Sequence, residues 1–218
     1  MAGKFHHEQL YRGAELTRKI DKVRVTLCGA GALGSNLADT LARQGFRRLK
    51  VIDKDRVEEH NVSTQLYGEG DVGAWKVEVL RNYLFRATGV EIEAIRKELT
   101  ERNVASLLKE TDLVIDTFDN SASRALVSSF CESAKLSCLH AGLFADYGEV
   151  VWNERYRIPG DADQDVCDYP LARNLVLVTV AVAAETLLTF QANGAKENRS
   201  ITLRDLAVRA LELPASSS

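Results

Sequence analysis

The amino-acid sequence predicts an α/β fold: a mostly parallel central sheet with helices on both faces, extended by antiparallel strands in the C-terminal part. Three observations carry that expectation. Short β-branched runs alternate with helix-period stretches through the first half of the chain, the pattern of strands covered on both faces by helices. A glycine-rich turn joins the first run to the first helical stretch. Beyond Leu136 the character changes, and residues 136–140 and 149–153 read as strands, the second pointing to an antiparallel extension.

Taken in order, Val23, Arg24, Val25, Thr26 and Leu27 read as the first strand, and residues 29–34 as a tight turn. Leu37, Ala38 and Leu41 give the next helix, closed by Gly45, because glycine tolerates the left-handed conformation at a helix end. Residues 49–52 form the next strand, and a polar loop leads to a helix over 75–88 ended by Gly89. A third strand is expected at 91–95, a short helix at 104–109, a buried strand at 113–117 and a helix at 123–134. After the two strands beyond Leu136 come a polar, acidic loop at 159–170, a long apolar helix and a last strand at 201–208. No linker divides the chain, so residues 1–218 are expected to form one domain.

The 218 residues are 45% hydrophobic and 27% charged, enough for one sizeable core and short of two full ones. The 28 basic residues face 31 acidic ones, a formal net charge of −3, which excludes an overall basic nucleic-acid footprint. The first residues lack an apolar signal core, and the four cysteines (Cys28, Cys131, Cys138, Cys167) form no C-x-x-C pair. The expectation is a cytoplasmic protein with reduced thiols and no cysteine zinc site. Residues 171–190 are about as long as a membrane span but include Arg173, Asn174, Thr179 and Glu185. They read as a buried helix at a subunit contact.

Gly29-Ala30-Gly31-Ala32-Leu33-Gly34 follows a strand and opens a helix. In that context a G-x-G-x-x-G run has a mechanism: its glycines permit a tight turn and close backbone approach, and the helix N-terminus offers amide donors to phosphate. Asp53 ends the second strand, where a carboxylate is placed to accept from ribose hydroxyls. Together they read as a Rossmann-like adenine-nucleotide site, with NAD the default occupant. The residues after Asp53 are unusual for that occupant. The chain runs Asp53-Lys54-Asp55-Arg56-Val57-Glu58-Glu59-His60-Asn61-Val62-Ser63-Thr64-Gln65, then Asp71-Val72-Gly73-Ala74-Trp75-Lys76-Val77-Glu78, and later Asp116-Thr117-Phe118-Asp119-Asn120 with Arg124. In this order the motifs resemble the ThiF/MoeB/HesA-type adenylyltransferases of the ubiquitin-activating enzyme superfamily, which carry D-x-D-x-V-x-x-x-N-x-x-R-Q, V-G-x-x-K-x-E and D-N-x-x-x-R. His140-Ala141-Gly142 and Gly148-Glu149-Val150 look like the family's strand-loop-strand, and the resemblance runs from about Val23 to near Phe190.

The resemblance implies an enzyme that activates a carboxylate, typically the C-terminal glycine of a ubiquitin-like or sulfur-carrier protein. The carboxylate attacks the α-phosphate of ATP, giving an acyl-adenylate and pyrophosphate, in a protein that is commonly a homodimer. It implies ATP and Mg²⁺ as cofactors. Gly29, Gly31 and Gly34 would cradle the nucleotide, Asp53 hold its ribose, and Asn61 and Gln65 organise the loop against it. Lys76 would be the cation for the phosphates, Asp119 the Mg²⁺ ligand, and Arg124 a third catalytic residue. Such a reaction needs a polyanion held and aligned, and Mg²⁺ binds through one or two carboxylates plus phosphate oxygens. Plainer roles stay open. Lys76 is also readable as a solvated helix lysine, Asp119 as a helix N-cap, Asp55 as a loop-stabilising carboxylate and Arg124 as the partner of a neighbouring carboxylate.

The pattern breaks in four places. Thr64 stands where the family has an arginine that meets the phosphates, and Glu8, within Phe5-His6-His7-Glu8-Gln9, where an N-terminal arginine reaches the nucleotide across the dimer. Arg12 and Arg18 are the nearby substitutes. Arginine clamps are worth about 10³ or more in phosphoryl-transfer rate, so turnover is more exposed to these losses than binding. Gln164-Asp165-Val166-Cys167-Asp168-Tyr169-Pro170 occupies the place of a zinc-binding C-x-x-C, and the crossover loop that bears a thioester cysteine in some relatives is missing. Cys167 lies among Asp163, Asp165 and Asp168, which disfavour the thiolate and make a poor nucleophile. Cys28, Cys131 and Cys138 read as core thiols, His140 as a structural strand-end histidine, and His6-His7 as part of an exposed N-terminal segment.

Two readings go forward: an adenylyltransferase, and a degenerate, non-catalytic nucleotide-binding partner subunit. An NAD-dependent enzyme is weakened by the Lys76 and Asp119 set. A tRNA-modifying relative is weakened by the acidic net charge, and neither nucleic acid nor membrane is expected as a partner.

Overall fold

The computed structural model describes residues 3–158 and 170–211. One eight-stranded sheet runs through them in the order β3-β2-β1-β4-β5-β6-β7-β8. β1 (Arg24–Cys28), β2 (Arg48–Ile52), β3 (Glu93–Ile95), β4 (Leu113–Asp116) and β5 (Ser137–Phe144) are parallel. β6 (Tyr147–Trp152), β7 (Arg199–Thr202) and β8 (Ala207–Ala210) are added antiparallel. The helices are α1 (His6–Arg12), α2 (Ala14–Ile20), α3 (Ala32–Gln44), α4 (Lys76–Thr88), α5 (Val104–Leu107), α6 (Ser121–Ala134) and α7 (Arg173–Asn193).

The alternation of a β-strand decides which residue meets which layer. Val25, Leu27, Leu113, Ile115 and Leu139 point into a core shared with α3, α4 and α7, while Cys28, Val114 and Cys138 point into a second core closed by α5 and α6. Both faces of the parallel half are therefore dry, as the runs of β-branched residues predict. Register then brings the strand ends together: Cys28 lies opposite Ile52 on one side and Asp116 on the other, and Asp116 lies opposite His140. The chain's winding reverses between β1 and β4. In open α/β sheets the crevice beyond the carboxyl ends at such a reversal is where ligands sit.

The C-terminal part departs from expectation in two ways. β5 continues to Phe144 because β6 folds straight back on it, pairing Leu139 with Trp152 through Phe144 with Tyr147. The single strand expected at 201–208 is a hairpin, β7 and β8, in which Ile201 pairs with Val208. Leu206 adopts a positive φ of 53° and Asp205 accepts hydrogen bonds from the Thr202 hydroxyl and the Ala207 amide, which turns the chain. The long apolar helix expected from the sequence is α7. Leu175, Val176, Val180, Ala183, Ala184, Leu187 and Leu188 are buried within the protomer, against α3, β5 and β6. Leu177 and Ala181 are exposed, and Val178 and Val182 half-buried. The N-terminal segment is also more ordered than the sequence suggested, forming α1 and α2.

Candidate nucleotide site

The glycine turn is built as its sequence requires. Gly29 has a φ of 102°, open to glycine at no steric cost. A Cβ on Gly34 would lie 2.1 Å from the Gly29 carbonyl oxygen, so only glycine lets α3 approach β1 this closely. Gly31 differs: nothing lies within 4 Å of where its Cβ would be. It is the N-cap of α3 and gives no side-chain cap, which leaves first-turn amides without a capping side chain, the condition for holding an anion.

Asp53 is buried and both of its oxygens are engaged, Oδ2 by the Ala30 amide at 2.7 Å and Oδ1 by the Asp55 amide at 2.7 Å. It thereby ties the glycine turn to the loop after β2. Burial pushes its carboxyl above the ordinary aspartate range, opposed by the Lys76 charge and the two amides. Each oxygen keeps a second lone pair for a ribose hydroxyl.

Lys76 opens α4 and is buried to 8% exposure, which removes the reading of a solvated helix lysine. Among the described residues the only carboxylate within 4.0 Å of its Nζ is Asp55, at 3.9 Å. Asp55 also accepts the Lys76 amide through its backbone carbonyl at 3.0 Å. Asp119 is exposed just beyond β4. It is not the cap of α6; that place belongs to Asn120, whose Oδ1 accepts from the Ser123 amide at 2.8 Å. Among the described residues Asp119 has no cationic partner within 4.0 Å, and its one contact is the Asn120 amide at 3.5 Å. An exposed, unneutralised carboxylate at the switch point fits a hard divalent cation shared with phosphate oxygens.

The loop from Asn61 to Tyr67 closes over the turn. Asn61 Oδ1 accepts the Glu58 amide at 2.9 Å, Ser35 Oγ accepts the Leu66 amide at 3.1 Å, and the Tyr67 hydroxyl donates to the Ala30 carbonyl at 2.7 Å. Asn36 donates to the Thr64 carbonyl at 3.0 Å. Asn61 thus organises the loop from within. The Gln65 Oε1 is buried with no hydrogen-bond partner among the described residues.

Arg124 lies deeper. It is buried and donates to the Tyr156 hydroxyl and the Ala141 carbonyl, each at 2.9 Å, with no carboxylate within 4.0 Å among the described residues. Burial works against its charge, and Asp116, Tyr156 and Glu149 outweigh it, so the guanidinium is held above its ordinary value. Beside it is a network the sequence did not reveal. Asp116 accepts the Phe118 amide on Oδ1 at 3.1 Å, and its Oδ2 meets His140 Nδ1 at 2.8 Å. His140 Nε2 meets Asn153 Oδ1 at 2.7 Å, and its ring stacks on Tyr156 at 3.7 Å. His140 is structural, and through Asp116 it braces the loop that carries Asp119. Only the cross-strand register shows this.

The remaining residues fall outside the crevice. Cys28, Cys131 and Cys138 are buried free thiols, and burial raises Cys28 and Cys138 well above the ordinary thiol range. Cys167, with Asp163, Asp165 and Asp168, lies outside the described residues. Glu8 pairs with Arg12 at 2.6 Å, and Arg12 also pairs with Glu185 at 3.0 Å, so Arg12 is committed to two carboxylates. Arg18 stands exposed on α2. A depression of about 280 Å³ lined by Arg24, Arg48, Lys50 and Glu93 opens at the opposite, amino-terminal end of the strands and contains none of these groups.

A glycine turn at a topological switch point, a buried acid on the next strand and a buried lysine 3.9 Å from Asp55 make a candidate nucleotide site of the doubly wound α/β class. The chain belongs to the ThiF family, whose pattern matches residues 6–183. It is similar to the adenylyltransferase and sulfurtransferase MOCS3 of Anopheles gambiae, 38% identical over 55% of this chain and 27% of that protein. It is also similar to the sulfur carrier protein ThiS adenylyltransferase of Bacillus subtilis, 27% identical over 68% of this chain and 46% of that protein. The chain thus spans less than half the length of either relative. Among solved structures, E. coli MccB with ATP superposes with a TM-score of 0.82 at 17% identity, covering 99% of this chain and 73% of that one. PaaA superposes at 0.78 and 16% identity, over 96% and 71%. These two likenesses establish the fold.

Proposed function

We propose that this chain is a single ThiF-type adenylation domain that uses ATP and Mg²⁺ to activate a carboxylate, the C-terminal glycine of a ubiquitin-like or sulfur-carrier protein. The observation that carries the reading is the set converging on one crevice: open space at Gly31, buried Asp53, Lys76 without a close counter-ion, and exposed, unneutralised Asp119. A hydride-transfer site has no need of the last two. Curated relatives named as adenylyltransferases of sulfur carriers support the same chemistry. In the reaction a carboxylate oxygen bonds to the α-phosphorus, the bond from that phosphorus to the bridging oxygen breaks, and pyrophosphate leaves with the electron pair. The protein's part is alignment and charge. Asp53 orients the ribose, the α3 amides and Lys76 hold phosphate oxygens, and Asp119 would hold Mg²⁺, which neutralises the charge on the leaving group.

A homodimer and a cytoplasmic location complete the reading. Support for a subunit contact comes from Leu10 and Tyr11 of α1, 70% and 83% exposed, and from Leu177 of α7 at 43%. The three buried free thiols suit a reducing compartment.

ATP–pyrophosphate exchange in the presence of carrier protein tests the activity. Lys76→Ala and Asp119→Ala are each expected to lower exchange about 10²- to 10³-fold, the scale of losing one electrostatic contact to a developing charge. Unchanged exchange in both would remove the site placement. ATP binding without exchange by the native chain, under every carrier tried, would favour the non-catalytic partner subunit, the reading that Thr64 and Glu8 keep in play.

A further inference from the structure

A triphosphate must be met by several donors, and the crevice supplies few. Its cationic side chain is Lys76, set among Asp53, Asp55 and Asp119, while Thr64 on the covering loop is neutral. The candidates for a second cation are quickly reduced. Arg12 is held by Glu8 and Glu185, Arg24 by Asp112 and Arg43 by Asp39. Arg124 is buried under the strands. Arg56 and Arg96 stack on Trp75, with guanidinium carbons 3.8 Å and 4.6 Å from the ring centre, and Arg96 follows β3, on the far side of Asp53 from the glycine turn.

Arg18 is exposed on α2, with no hydrogen bond to the covering loop among the described residues; Arg173, the first residue of α7, does reach that loop. It is exposed, and among the described residues no carboxylate lies within 4.0 Å of it. Its Nη1 reaches the Ser63 carbonyl at 3.5 Å, one residue from Thr64. The Thr64 carbonyl is itself held by Asn36, one turn into α3 from the glycine turn. The extensive packing of α7 along α3 fixes this placement. Among the described residues this long contact is the one hydrogen bond of the Arg173 side chain, which leaves most of its five guanidinium donors without a partner there, and the N-terminus of α7, where Ala172 gives no side-chain cap, adds positive character.

We propose that Arg173 is a phosphate-binding residue of this site, placing a guanidinium on the β- and γ-phosphates of ATP from α7 where the covering loop has only Thr64. The proposal rests on the reading of the crevice as an ATP site. Its fork of donors matches phosphate oxygens in a way a lysine does not.

Calorimetric titration of ATP and of AMP into the native chain, Arg173→Ala, Arg173→Lys and the double variant Arg173→Ala/Thr64→Arg tests it. Arg173→Ala is expected to weaken ATP about 10- to 100-fold, the scale of a charged hydrogen bond, with AMP affinity unchanged. Arg173→Lys should recover part of the loss, and Thr64→Arg most of it, by supplying the guanidinium from the neighbouring loop residue. An equal ATP-to-AMP preference in the native chain and Arg173→Ala overturns the proposal, as does a loss shared by both nucleotides. Failure of the native chain to bind ATP at all brings down the ATP reading, and this proposal with it. Native binding that Lys76→Ala removes and Arg173→Ala leaves intact brings down this proposal alone. Arg173 is exposed, so its variants are expected to fold.

Discussion

The parallel half of the sheet and its antiparallel extension are continuous in hydrogen bonding and opposite in purpose. In the parallel half, β1, β2 and β4 are dry on both faces, and their carboxyl ends deliver Gly29, Asp53 and Asp119 to one crevice. In the extension the interior residues (Val150, Trp152, Ile201) pack on α7, while β8 exposes Val208 and the turn before it exposes Leu206 at 76%. The candidate nucleotide site uses nothing from β6, β7 or β8. On the proposed reading one half would carry the chemistry and the other adds core, with α7 joining them: its length fills the core and its first residue reaches the Ser63 carbonyl.

If that division holds, the largest effect on stability should come from the extension. Trp152 is 1% exposed and packs against Phe190 with ring centres 4.7 Å apart, so Trp152→Ala is expected to cost about 3–5 kcal/mol by denaturant unfolding. Its indole N–H has no partner among the described residues, and Trp152→Phe should cost distinctly less. In either variant, at temperatures where the fold persists, ATP affinity should be unaltered; a matching loss of binding would erase the distinction between the halves.

Gly34→Ala should cost less in stability and more in function. Its Cβ meets the backbone of Gly29 and the Thr117 hydroxyl, an overpacking expected to cost about 1–3 kcal/mol, and the distorted turn should abolish nucleotide binding even in the folded fraction. Retained affinity would show that the turn is merely a tight corner. Smallest of all, Val208→Lys on the half-exposed edge strand should change stability by no more than about 0.5 kcal/mol and leave pyrophosphate exchange untouched. A larger shift, or a change in sedimentation, would mean that β8 is covered by a second subunit.

The same boundary separates the parts of the molecule that were legible in the sequence from those that were not. Strands β1 to β4 are short β-branched runs separated by helices, and each was visible to within a residue or two. Gly29, Gly34 and Asp53 were visible because their spacing along a strand-turn-helix unit is local, whereas Lys76 and Asp119 were named through the resemblance in motif order. In the extension, residues 201–208 read as one strand where two short strands exist, because the turn is made by Leu206 and Asp205 without a glycine or proline to mark it. The apolar length of α7 marked it as a buried helix; which of its residues face α3 and which face out was set by packing.

By itself, then, the sequence determined the α/β class, the glycine turn, the order of the motifs and the chemistry their side chains offer, since each depends on residues close along the chain. Tertiary structure alone decided what those side chains meet. Strand register set Asp116 against His140 and so braced the loop of Asp119. Helix packing sealed α7 against α3 and brought Arg173 to Ser63, far away along the chain. Burial separated Lys76, poised without a close counter-ion, from Arg124, whose guanidinium is occupied by Tyr156 and a backbone carbonyl. Contacts between distant segments depend on how layers pack, and no local pattern encodes them.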